Sequence, residues 1–426
     1  MKKTLFATLL ILGAYSVAAS DFYLSPTGAG KKDGLGKSNA FAQSDISRVV
    51  NEVMHPGDRL LLVSGVYKEF SLQINKGGLK RKPKCIIGDD GGMELPLLQG
   101  TWSVDSPDKG LTAINIDAGV SHLDISGLCM NDYVFGVHAR ATKGKALRTH
   151  LVLKNISMAR VRYGVYLSDC RHLLIEDCSL KRYTKHGFRL DAGCSAVQIR
   201  RCVADCSEGD AAWEKKTELF PFGFMVNNKG GGCTDVLFKD CLAQNNLMPL
   251  QKTSYKNGDG FVVEGNAYDV SFLRCRSINN QDGGFDLKVR DVVLKECVAL
   301  RNSRNFRIWN TGTLDNCIAV GGKTGLWSNG GPVAVNHSTF CNLTGAAIET
   351  DDRASAPINL TGCLISDAEK TIHNSSKGTV DLKECAVVEK SSDAKDPAYI
   401  KPDLTWDGHG DAMNSRTYPD KGYHGK

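Results

Sequence analysis

From residue 151 onward, short runs of alternating apolar and polar residues recur along the chain, and each closes on a small side chain. LLIEDCSL, VQIRRCVA, VLFKDCLA, VSFLRCRS, VVLKECVA, INLTGCLI and VDLKECAV share one layout, with Cys178, Cys202, Cys241, Cys275, Cys297, Cys363 and Cys385 at the same place. Alternation of this kind marks a strand with one buried face. Cys275, Cys297 and Cys317 follow one another at 22 and 20 residues, and Cys341, Cys363 and Cys385 at 22. A period in this range without helical patterning predicts stacked coils. Ser338 in VAVNHSTF and Ile156 in LVLKNISM occupy the cysteine place, so the column reads as interior packing.

A second column keeps the same period. Gly164, Gly187, Gly223, Gly260, Gly284 and Gly325 each open another short strand, with Asn305 in the equivalent place. Phe188, Phe224, Phe261, Phe285 and Phe306 follow and are expected to stack inside. The next residue on each strand then points outward, which sets Arg189, Met225, Val262, Asp286 and Arg307 in one exterior row. The pattern predicts an all-β, single-stranded parallel β-helix with one chain turn per coil. Ahead of the coils, DISRVVNEVM is amphipathic and predicts a short N-terminal helix capping the open end of the solenoid.

Composition narrows the setting. MKKTLFATLLILGAYSVAAS has two lysines, an apolar run and small residues at its end, which predicts a signal peptide over 1–20 and a secreted or periplasmic protein. The β-helix is expected over 21–390, and the polar, Pro- and Gly-containing segment 391–426 as an irregular tail. No later run is long and apolar enough for a spanning helix. The net charge of +6 suits an anionic partner but is too mild for a dedicated nucleic-acid binder. Fifteen cysteines in an exported chain could form disulfides, but their strand positions favour small buried thiols, and no compact CxxC pair suggests zinc.

Stacking turns sequence-distant carboxylates into neighbours. Asp259 precedes Gly260 on one coil; Asp282 and Asp286 flank Gly284 on the next, about one strand spacing (~4.8 Å) away. Like charges this close need a compensating cation or protons. Oxygen ligands on turns suit Ca²⁺. Arg307 follows one coil later in the row of Asp286.

NGDGFVVEG (257–265), INNQDGGFDLKV (278–289) and NSRNFRIWN (302–310) resemble the calcium-dependent pectate lyases of polysaccharide lyase family 9, whose fold is a right-handed parallel β-helix. The resemblance implies Asp259, Asp282 and Asp286 as calcium ligands and Arg307 in the place of the catalytic base. Gly283 stands where the family has a fourth ligand, with Glu264 as a conceivable substitute, and Arg307 stands where it has lysine. The implied reaction is Ca²⁺-assisted β-elimination in an acidic, uronate-containing polysaccharide such as pectate. Arg307 would take the C-5 proton or stabilise the enolate-like intermediate, and Lys288, Arg189, Lys256, Arg304 and Lys323 would hold further carboxylates. A monomer is expected. His186 reads more simply as a turn histidine, and Trp309 and Trp327 as half-buried packing beside the face.

Two other readings stay open. The aspartates could serve an inverting glycosidase, which needs two carboxylates roughly 6.5–9.5 Å apart. Gly283 and Arg307 would also suit a non-catalytic carbohydrate-binding β-helix.

Overall fold

Each coil bends at residues with positive φ. On one coil these are Asp269, Arg274 and Asn279, at 51°, 51° and 55°; on the next they are Asp291, Glu296 and Arg301, at 55°, 55° and 54°. One such corner stands immediately before each member of the cysteine column, at Asp177, Arg201, Asp240, Arg274, Glu296 and Asn316. The corner residue breaks the period of two. Ile175 faces inward and Glu176 outward, and the left-handed turn at Asp177 resets the phase so that Cys178 again points inside. A non-glycine residue in this conformation costs roughly 1–2 kcal/mol. Polar side chains fill most of these corners, consistent with the tolerance of Asn and Asp for the left-handed region.

The computed structural model describes residues 19–88, 94–207, 221–227, 231–248 and 257–388. It is a right-handed parallel β-helix whose described strands run from Asp21–Ser25 to Ala386–Val388. Three parallel sheets form its faces. The first contains Thr234–Lys239, Tyr268–Leu273 and Val292–Lys295, and the second Leu242–Gln244, Arg276–Ile278 and Val298–Leu300. The third contains Phe222–Val226, Asp259–Val263, Gly283–Leu287, Arg304–Ile308 and Thr324–Ser328. The expected leader lies almost wholly outside the described residues, and the expected tail wholly so.

The interior follows the two columns. Phe188, Phe224, Phe261, Phe285 and Phe306 stack with centroids 4.8, 4.8, 4.8 and 5.2 Å apart. Phe238 and Phe272, from the first sheet, meet this stack edge-on, a favourable quadrupole arrangement. All fifteen cysteines are free, and burial pushes the Cys341 and Cys363 thiols up to about 12. One expectation is corrected: Cys341 is not in the cysteine column. It pairs in register with Val320 and Ser366. Ser338 is the column member on that coil, accepting the Cys317 N–H at 3.0 Å.

At the N-terminal end, Gln43–Val53 winds through 3-10, α and π turns and buries Ile46, Val49 and Val50 over the first coils. Buried Lys84 donates to the Val50 carbonyl at 2.7 Å, and Asn51 bridges to Gln73 O and Asn75 N. The Val50 carbonyl, left free near the helix end, is thereby satisfied. Among the described residues no helix is long and apolar enough to cross a membrane.

Candidate functional site

The third sheet carries the site, and its register depends on a buried asparagine ladder at its leading corner. Asn246 Nδ2 donates to Asn280 Oδ1 (2.7 Å), Asn280 to Asn302 (2.9 Å), Asn302 to Asn305 (3.0 Å), and Asn305 to Gly321 O (2.8 Å). Each amide uses both ends, as a buried polar chain must. The glycine column beside it is dictated by close approach: a Cβ on Gly284 would lie 2.5 Å from Asn305 O, and one on Gly260 2.1 Å from Ser277 Oγ. Asn305 is the exception because its side chain enters the ladder.

Register places the outward residues in three adjacent rows. The central row runs His138, Tyr166, Arg189, Met225, Val262, Asp286, Arg307, Trp327, Glu349. On the leading side lie Tyr163, His186, Phe222, Asp259, Gly283 and Arg304, and on the trailing side Glu264, Lys288 and Trp309. The predicted exterior row exists, but it is not exposed here: Met225, Val262, Asp286 and Trp327 are all buried. It forms a covered floor.

The three aspartates converge as expected, and each is already engaged. Asp282 receives Arg304 Nη1 and Arg307 Nη1, both at 3.2 Å. Asp286 receives Trp309 Nε1 at 2.6 Å and Lys288 Nζ at 3.0 Å, with Arg307 Nε 3.7 Å away. Asp259 accepts the Gly283 N–H at 2.5 Å. The Arg307 guanidinium lies over both indoles, 4.5 Å from the Trp309 centroid and 5.0 Å from that of Trp327, a cation–π arrangement. Its Nε and that of Arg304 are buried without a hydrogen-bond partner. The Lys288 ammonium, between Asp286 and Glu264, is held protonated: its pKa lies above the ordinary value because those carboxylates outweigh its desolvation.

A calcium ion does not fit this donor set as arranged. Asp282 and Asp286 are paired with three cations, Asp259 holds the Gly283 N–H, and among the described residues no group of His, Cys, Asp or Glu converges as a metal cage. The place of a fourth ligand is crowded, since a Cβ on Gly283 would sit 2.8 Å from Asp259 Oδ1 and 3.1 Å from Asp286 Cβ, so both aspartates would have to shift. Glu264 does not substitute; it binds Lys288 Nζ at 3.0 Å and Asn227 Nδ2 at 3.1 Å.

Burial, with Asp286 and Asp282 beside it, pushes the Asp259 carboxyl well above the usual carboxylate range. Its stabilising contribution is complete below the unfolded-state value near ~3.9 and is lost as pH rises through the raised folded value. Asp259→Asn keeps an acceptor for the Gly283 N–H and removes that cost. The variant is expected to melt several degrees above wild type at pH 7–8, with the difference vanishing below about pH 4. Thermal melts across pH check this; a variant less stable at pH 8 would contradict it.

The other predicted residues are dispersed. Lys288 and Arg304 join the cluster. Arg189 shares the central row but sits three strands away, bonded to Asp191 at 2.8 Å and lying over the Tyr166 ring at 4.6 Å. Lys323 is exposed at the corner before Thr324–Ser328, and Lys256 lies outside the described residues.

Sequence reasoning missed the aromatic half of this face. Phe135, Tyr163, His186 and Phe222 form one continuous line of rings at 5.0, 5.3 and 5.3 Å. Burial, with nearby arginines, lowers the His138 imidazole to about 4 and holds His186 well below its ordinary value; burial raises the Tyr166 phenol to about 12. All three are neutral at pH 7. The signal was present in RYGVYL and KHGFRL, where the residue before each column glycine is aromatic.

No family model matches the chain. A capsule-specific depolymerase of a Klebsiella phage is 20% identical over 184 residues, 41% of this chain and 18% of that protein, so the match spans less than a fifth of its length. Among solved structures, the A-module of a mannuronan C-5 epimerase from Azotobacter vinelandii superposes with a TM-score of 0.62 at 11% identity, over 81% of this chain and 94% of that one. A mannuronic acid-specific family 6 polysaccharide lyase from human gut microbiota gives 0.55 at 12%, over 83% of each chain. At such identities the shared feature is the right-handed parallel β-helix itself.

Proposed function

We propose that the protein cleaves an acidic, uronate-containing polysaccharide by β-elimination on the third sheet, outside the cell or in the periplasm. One observation carries this reading. Arg304, Arg307 and Lys288 are packed with two indoles and three buried carboxylates in a single outward cluster. Burying so many charges on one face of a solenoid costs desolvation energy that apolar residues would not, which favours a functional reading of the cluster. The epimerase and the lyase that share the fold are both named for mannuronate polymers, which supports a uronate substrate.

In this reading the Arg307 guanidinium, on a side chain 17% exposed, receives the uronate carboxylate and stabilises the charge that grows there as the C-5 proton leaves. Asp282 takes that proton, because its side chain, at 11% exposed, is more open than that of Asp286 at 3%. The electrons of the C–H bond form the C4–C5 double bond, the C4–O bond breaks, and the leaving oxygen recovers the proton. Arg304 and Lys288 keep the aspartates in place. Calcium, the expectation raised by the family resemblance, has no step here.

The test is turnover of a panel of polyuronates with and without chelator, reading absorbance of the unsaturated uronate end. The expected result is that product forms and that chelation leaves the rate unchanged. Chelator-sensitive product would restore the calcium mechanism, and saturated reducing ends would establish a hydrolase instead.

A further inference from the structure

The face changes chemical character along the helix axis. Its C-terminal half is ionic. Its N-terminal half carries rings, and beside them opens a cavity of about 560 Å³ lined by Phe135, His138, Tyr166, Ser168, Asp191 and Arg140, among others. Phe135 stacks on His138 at 4.2 Å and on Tyr163 at 5.0 Å and is half-buried. Apart from exposed Arg140 at the rim, the charges here are internally settled. The Asp191 carboxylate receives Arg189 Nη2 (2.8 Å), Tyr166 Oη (2.8 Å) and its neighbour's N–H at Ala192 (3.0 Å). Buried Arg148, behind the cavity, spends its guanidinium on the carbonyls of Ile116, Ser168 and Arg140.

We propose that this cavity is a subsite for an uncharged sugar ring of the same polysaccharide, so that the substrate is an acidic heteropolymer and not a homopolymer of uronate. The inference rests on the β-elimination reading for the identity of the polymer. A sugar presents an apolar C–H face and a rim of hydroxyls. The part of the Phe135 ring left open by its stacked neighbours and the side of Tyr166 away from Arg189 supply apolar surface, and Asp191, Ser168 and Tyr166 supply polar groups for the rim. A uronate in the same place would set its carboxylate beside Asp191 and over the electron-rich ring faces, with Arg189 already paired; that costs energy, and the cation left to offset it, Arg140, is exposed at the rim where solvent screens it. At the ionic end the preference is reversed. Tyr166 and Arg307 are separated by five steps of the central row, or ~24 Å at ~4.8 Å per strand. One polymer chain lying along the axis therefore meets a neutral subsite and a uronate subsite several sugars apart.

The experiment compares the alternating uronate–rhamnose backbone of rhamnogalacturonan with polygalacturonate and alginate, for wild type, Phe135→Ala and Phe135→Leu. The leucine variant keeps apolar bulk in case alanine disturbs folding, and melting curves establish that each variant is folded. The alternating polymer is expected to show kcat/KM about tenfold above either homopolymer, and Phe135→Ala to raise its KM about tenfold with kcat nearly unchanged. Homopolymers degraded equally well, with Phe135→Ala and Phe135→Leu indifferent, would overturn the subsite while leaving the lyase standing. If no polymer yields unsaturated product, the lyase reading fails. Affinity electrophoresis on the alternating polymer then decides the subsite: retardation lost in the Phe135 variants supports it, and retardation unchanged overturns it.

Discussion

Arg307→Ala is expected to reduce formation of the unsaturated product by roughly 10³-fold or more while the protein stays folded. The size of the effect follows from position. A donor aimed at charge that develops only in the transition state is worth ~10²–10³ in rate, and Arg307 also binds the ground-state carboxylate. Folding survives because the aspartates keep other partners: Asp282 retains Arg304 at 3.2 Å, and Asp286 retains Trp309 at 2.6 Å and Lys288 at 3.0 Å. Arg307→Lys preserves the charge but not the planar fork over two indoles, so it is expected to recover only a small part of the rate. The measurement is kcat and KM for each variant beside its melting temperature. Full activity in Arg307→Ala would remove the proposed mechanism.

Asn302→Ala is expected to destabilise the protein more than the other substitutions considered. Asn302 is fully buried. Its Oδ1 accepts from Asn280 N and Nδ2 at 3.0 and 2.9 Å, and its Nδ2 donates to Ser277 O and Asn305 Oδ1, both at 3.0 Å. Alanine leaves those groups unpaired in a dry interior, at ~1–3 kcal/mol each for those that find no substitute. A loss of about 3–5 kcal/mol is therefore reasonable. Activity should fall with it, because Arg304 and Arg307 lie on the strand that this ladder positions. Asn302→Asp, which restores acceptors but adds an unpaired buried charge, should be no better. Denaturant melts check both; an Asn302→Ala protein as stable as wild type would mean that the ladder does not hold the strand.

Much of the architecture was legible because a solenoid is close to one-dimensional. Phe261, Phe285 and Phe306 repeat in sequence at the spacing at which they stack in space, so the columns, the outward row and the juxtaposition of Asp259, Asp282, Asp286 and Arg307 follow from counting. Counting failed where the coil departs from strict repetition. Ser338 takes the column place on its coil, as the pattern of VAVNHSTF indicates, while the spacing of 22 residues into Cys363 wrongly drew Cys341, three residues further on, into the same series. Rows alone also could not identify the partner of each charge. Lys288, expected to wait for substrate, is bound between Asp286 and Glu264, and Arg189 is closed onto Asp191.

The sequence by itself determined the parallel β-helix, its coil register and the set of charged residues that share one face, because the identity of neighbouring strands is encoded in a repeat. The tertiary structure decided what those residues do to one another. Whether the carboxylates surround a metal ion or bind arginine, lysine, indole and backbone N–H groups depends on side-chain direction, on the crowding at Gly283 and on burial. None of these is periodic, and electrostatic energy at ~3 Å depends on them more strongly than on the order of residues along the chain.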